Sequence, residues 1–212
     1  MIGKKLVLIG AGGIGSHTAL LLARLEFEDL IIFDHDAVEP HNLENQVYSL
    51  WDIGRPKVEA LRWHIHGLPQ RGNVQYLQEK VVDGTPLKGI VIVAVDNLES
   101  RQIICRQLEP ANPHGNFAPL LIEAGAAQNI GIIYILNPND SDQIAKYEQT
   151  LYGLPAGDIA LNQCVDPELG PVFAGIIAKF VKNFWAGWRP LFLTRVEIDF
   201  GDLTRVGVRD IK

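Results

Sequence analysis

The run Leu6-Val7-Leu8-Ile9-Gly10-Ala11-Gly12-Gly13-Ile14-Gly15, followed by the weakly charged Ser16–Leu25 and then by Leu30-Ile31-Ile32-Phe33-Asp34, decides the fold. Its first four residues form a short apolar strand, the glycines a turn, and Ser16–Leu25 a helix; Leu30–Phe33 is strand-like again. Strand, turn, helix and strand make a βαβ unit, which predicts a parallel sheet. Glycines between a strand and a helix suit a phosphate, because backbone N–H groups and the helix dipole face it and a missing Cβ permits close approach. Asp34 closes the second strand, where a carboxylate accepts hydrogen bonds from ribose hydroxyls. Together these features point to an adenine nucleotide without separating NAD from ATP. A glycine turn that only packs helix against strand is the structural alternative.

Downstream, Pro56–His66 reads as an amphipathic helix, because Val58, Leu61 and Ile65 recur at three- and four-residue spacing. Val74–Leu77 reads as a strand. Gly89–Val95 is a continuous apolar run ending at Asp96, as expected of a parallel strand buried on both faces. A helix follows over Leu98–Leu108, and Leu120–Ala124 and Ile130–Leu136 read as strands. Asn137–Gly170, rich in Pro, Asp, Asn and Gly, reads as a mobile loop or a crossover. Val172–Trp185 is almost wholly apolar and belongs in the core or in a subunit interface. Leu191–Phe200 and Arg205–Arg209 read as antiparallel strands. The expectation is one α/β domain over residues 1–212, a Rossmann-like, doubly wound, mainly parallel sheet with helices on both faces.

The chain has 212 residues, 47% of them hydrophobic, with a net charge of −6 and no long Lys/Arg run. That balance argues against a nucleic-acid partner. No stretch reaches the roughly 18 uncharged apolar residues of a membrane span, so a soluble protein is expected, and the low cysteine count fits a reducing cytoplasm. Two cysteines, Cys105 and Cys164, are too few for a four-cysteine zinc site. The tryptophans are expected in the core or an interface, and His64 and His66, two apart on a helix, face different directions and make no metal pair.

Three further blocks follow the glycine loop in order: Asp34-His35-Asp36-Ala37-Val38-Glu39-Pro40-His41-Asn42-Leu43-Glu44-Asn45-Gln46, then Asp52-Ile53-Gly54-Arg55-Pro56-Lys57, then Val95-Asp96-Asn97. Their combination resembles the ThiF/MoeB/HesA family of ubiquitin-activating-enzyme-like adenylyltransferases, and the likeness covers most of the chain. The resemblance implies ATP with Mg2+ and activation of the C-terminal carboxylate of a small ubiquitin-like or sulfur-carrier protein, or of a peptide. It also implies a homodimer, or a heterodimer with an active relative. Gly10, Gly12, Gly13, Gly15 and Asp34 then hold the nucleotide, and Asn42, Asn45 and Gln46 face its phosphates. Lys57 reaches the phosphates as a point charge. Asp96, at the carboxyl edge of a buried strand, associates with magnesium and triphosphate. The structural alternatives are a solvated Lys57, Asp96 as a helix N-cap, and Asn42 and Gln46 as organisers of a loop. Arg101 pairs with Asp96, with ligand, or in an ordinary structural ion pair.

Asn45 stands where the family pattern has an arginine, the first strand is expected within a few residues of Met1 where members tend to carry helical residues ahead of it, and the family's two Cys-x-x-Cys zinc pairs are not found in these 212 residues. Each lost phosphate-side cation is expected to cost about 2.7–4 kcal/mol of transition-state stabilisation. Cys164, before an apolar helix, resembles a cysteine that in some members attacks the acyl-adenylate; packing is its plainer role. Three readings stand: an adenylyltransferase, a degenerate scaffold subunit, and an NAD-dependent oxidoreductase.

Overall fold

A computed structural model describes residues 3–69, 71–109, 117–127, 130–152, 167–199 and 206–211. Eight strands form one sheet in the order β3-β2-β1-β4-β5-β6-β7-β8. They are β1 (Lys5–Ile9), β2 (Asp29–Phe33), β3 (Asn73–Leu77), β4 (Ile90–Val93), β5 (Leu121–Ala127), β6 (Ile130–Leu136), β7 (Leu193–Asp199) and β8 (Val206–Ile211). The first five in spatial order pair in parallel. The β5–β6, β6–β7 and β7–β8 pairs are antiparallel. The strand order reverses direction between β1 and β4, so their carboxyl ends open a crevice at the topological switch point.

Period-two alternation explains why both faces are covered. Leu6 and Leu8 of β1 and Ile90 and Ile92 of β4 enter one core with α1 (Gly13–Leu22), α2 (Lys57–His66) and α5 (Leu169–Trp185). Val7, Ile9, Val91 and Val93 point the other way, toward α3 (Leu98–Leu108) and α4 (Ser141–Tyr152). Helix α5 buries Phe173, Ile177 and Val181 at a helical repeat, and its apolar stripe is filled from within the chain, with α1 as its main neighbour.

Within Asn137–Gly170, read from the sequence as a mobile loop or a crossover, the described residues include helix α4, while residues 153–166 lie outside the described residues. Asp140 Oδ1 accepts the backbone N–H groups of Asp142 and Gln143, and Gln143 Nε2 donates to Asp140 Oδ2. This N-terminal cap launches the helix. Ile144, Tyr147 and Leu151 then fill the second core. Trp51 and Trp63 are also not core residues, being 86% and 66% exposed.

The turn from β1 into α1 leaves no room for side chains at two of its glycines. Gly10 has φ +96°, and a Cβ on Gly15 would lie 1.9 Å from the Gly10 carbonyl oxygen, whereas a Cβ on Gly12 would meet nothing within 4 Å. Gly15→Ala must therefore displace backbone and should lower the melting temperature by about 5 °C or more. Gly12→Ala, which meets no atom and loses only the N-cap preference for glycine, should lower it by less, about 2–4 °C. Thermal denaturation of both variants checks this, and equal losses would contradict the packing described.

Candidate functional site

The crevice at the switch point is a polar cavity of about 360 Å³, within the size range of small-molecule sites. Gly10, Gly12 and Gly13 line it from the β1–α1 turn, and Asp34 lines it from the end of β2. Lys57 comes from the start of α2 and Asp96 from the end of β4. Asn42, Asn45 and Gln46 line it from the segment after β2. Gly15 is absent from the lining, because its missing Cβ serves the approach to Gly10.

Asp34 is committed to the backbone. Its Oδ2 accepts the Ala11 N–H at 2.6 Å and its Oδ1 the Asp36 N–H at 2.8 Å, tying the glycine loop to the chain beyond β2. Burial pushes its carboxyl up, against the opposing pull of the Lys57 ammonium and these two amides. Tyr48, which the sequence reading did not single out, donates its hydroxyl to the Ala11 carbonyl at 2.8 Å. The loop is thus held from both sides of Ala11, and N–H groups at the start of α1 face the cavity without a side-chain cap.

Lys57 is not the solvated lysine of the plainer reading. It is 7% exposed, and its ammonium lies 3.1 Å from Asp36 Oδ2. Asp36, a residue of the segment after β2, thus anchors the cation. Asn42 accepts the Glu39 N–H through Oδ1, so its carbonyl end organises the loop. Gln46 Oε1 is buried without a hydrogen-bond partner among the described residues. Asn45 lies beside the loop, its side-chain nitrogen 3.8 Å from where a Gly13 Cβ would stand.

Asp96 is exposed at the cavity mouth and is not an N-cap. Asn97 takes that role, its Oδ1 accepting the Ser100 N–H at 2.8 Å, while its Nδ2 donates to Asp96 Oδ1 at 3.3 Å. Arg101 pairs with Glu123 rather than Asp96, at 2.6 Å. Glu123, 1% exposed in β5, was missed in the sequence, although an acid inside an apolar strand is itself a signal. His64 sits 2.9 Å from Asp52 Oδ2, an ion-pair geometry. Cys164 lies outside the described residues. Carboxylates of Asp34, Asp36, Glu39, Glu79 and Asp96 outnumber the lining cations Lys57, Lys80 and Arg101.

The Asp52 carboxylate ends the turn that leads to Lys57. Burial pushes it up, but the Ser49 amide, His64 and the Ser49 hydroxyl outweigh burial and hold it below the ordinary carboxylate range. Such a group stabilises the fold above its unfolded value of about 4 and loses that contribution as pH falls through its depressed folded value. Asp52→Asn should cost about 1.5–3 kcal/mol at neutral pH. The gap in melting temperature from the parent should close as the pH is lowered below about 4; a gap that persists to acid would contradict the assignment.

Comparison with known proteins bears on this geometry. Residues 3–181 match the model of the ThiF family. Ubiquitin-like modifier-activating enzyme 5 of Xenopus laevis is 26% identical over 155 residues, covering 63% of this chain and 37% of that protein. The SAMP-activating enzyme E1 of Haloferax volcanii is 30% identical over 118 residues, covering 50% of this chain and 43% of that protein. The match therefore spans about two fifths of the length of these relatives. Among solved structures, E. coli MccB with ATP superposes with a TM-score of 0.67 at 20% identity, over 97% of this chain and 63% of that one. PaaA superposes with a TM-score of 0.73 at 21% identity, over 98% and 64%. At such identity these structures establish the shared fold. With the family model matched across most of its length, the chain belongs to the ThiF family.

Proposed function

We propose that the protein binds ATP with magnesium in the switch-point cavity and adenylates the C-terminal carboxylate of a small ubiquitin-like or sulfur-carrier protein, or of a peptide. The observation that carries the reading is the convergence of the glycine loop, Lys57 and Asp96 on one crevice. Attack of a carboxylate on the α-phosphate builds negative charge and expels pyrophosphate, so a site for it needs donors and cations fixed in advance. Loop N–H groups and the Lys57 ammonium, held by Asp36, are such donors.

Magnesium fits the donor set. The lining is rich in carboxylate oxygens, hard ligands of the kind the ion takes, and Asp96 stands exposed at the mouth. Without a divalent ion, a triphosphate would meet an excess of negative charge. When bound, the ion supplies charge neutralisation between Asp96 and the phosphates. The partner class is supported by the relatives, which are named as activating enzymes for ubiquitin-like modifiers and for SAMP, and by E. coli MccB, solved with MccA.

The fold disfavours the oxidoreductase. A dinucleotide site uses a second parallel βαβαβ half, whereas here β6 runs antiparallel to β5 and begins an antiparallel extension. The scaffold reading keeps one observation in its favour, the uncharged Asn45 beside the glycine loop. Pyrophosphate release from ATP, measured with a panel of small ubiquitin-like proteins and their C-terminal peptides, separates the two. An active parent should lose about 10²–10³-fold in rate with Lys57→Ala or Asp96→Asn. ATP binding without release across the panel would favour the scaffold.

A further inference from the structure

An arginine lining a phosphate cavity is first read as a phosphate ligand, but the contacts of Arg101 among the described residues are with the protein itself. Its Nε and Nη2 donate to the Val95 carbonyl at 3.1 and 2.7 Å. Its Nη1 lies 2.6 Å from Glu123 Oε1, an ion-pair contact rather than an aligned hydrogen bond. The side chains are 6% and 1% exposed. Glu123 is wholly buried, and burial pushes its carboxyl up while Arg101 pulls it down. A buried pair of this kind is weak evidence for stability, since an apolar pair of similar volume often does as well. Its geometry has a clearer use. Val95 immediately precedes Asp96, in the turn that leaves β4 for α3. Gly125 makes room for the arrangement, because a Cβ there would lie 2.6 Å from Arg101 Nη2.

We propose that Glu123 and Arg101 form a clamp in which the guanidinium, anchored from β5, grips the Val95 carbonyl and so fixes the position of Asp96 at the cavity mouth. Arg101 and Glu123 are then positioning residues that act through Asp96. This rests on the reading of Asp96 as the carboxylate on the magnesium and phosphate side. The planar fork of arginine reaches Val95 and Glu123 together, and the single ammonium of lysine does not reproduce it.

A double-mutant cycle tests this, with calorimetric titration of ATP in magnesium and again in EDTA. Arg101→Lys should weaken magnesium-dependent ATP binding about tenfold in the parent and less than about twofold in the Asp96→Asn background. Gly125→Ala, which crowds the guanidinium without removing a charge, should show the same dependence on Asp96 and serves if the lysine variant does not fold. Equal losses in both backgrounds, or equal losses with and without magnesium, would mean a purely structural pair and overturn the clamp. If Asp96→Asn itself leaves ATP binding unchanged, the reading of Asp96 fails first, and the clamp falls with it.

Discussion

The approach of Gly15 to the Gly10 carbonyl is the constraint on which the rest of the site depends. A helix can start directly beyond β1 only if the chain reverses within a few residues, and a Cβ at position 15 would stand 1.9 Å from that oxygen. Because the turn is so tight, the first N–H groups of α1 face the crevice between β1 and β4. Asp34 and Tyr48 then lock Ala11 from its two sides, one through the amide and one through the carbonyl. Each further functional side chain is placed relative to that loop by a strand end or a helix start.

Charge distribution follows from this placement. The cavity gathers carboxylates from the ends of β2 and β4, and the buried cations among them are Lys57, paired with Asp36, and Arg101, paired with Glu123. Such a wall repels a bare polyanion and favours one that arrives with a divalent cation. Asn45, where the family pattern has arginine, shifts the balance further toward a need for that ion. Arg101 does not restore it, since its charge is spent on Glu123.

Much of this was legible in the sequence for identifiable reasons. Parallel strands buried on both faces read as unbroken apolar runs, so β1 and β4 stood out, whereas the cap of α3 falls on Asn97 and not on Asp96, one residue before it. The glycine spacing located the loop, and the blocks after it located Lys57 and Asp96 at the cavity. Helix α4 escaped because Asn137-Pro138-Asn139-Asp140 reads as loop, although Asp140 and Gln143 form a capping pair before apolar residues at helical spacing. What stayed hidden is tertiary. Nothing local to Glu123 says that its partner is Arg101, and nothing local to Tyr48 says that its hydroxyl meets the glycine loop, because those contacts are made by strand order rather than by neighbours in the chain.

The central claim is that the switch-point cavity is an ATP site completed by magnesium. Equilibrium titration of the purified protein with ATP, with and without magnesium and with NAD in parallel, tests it most directly. The account predicts saturable binding of one ATP per chain that strengthens with magnesium, and no saturable binding of NAD. Saturable NAD binding with none for ATP would contradict it.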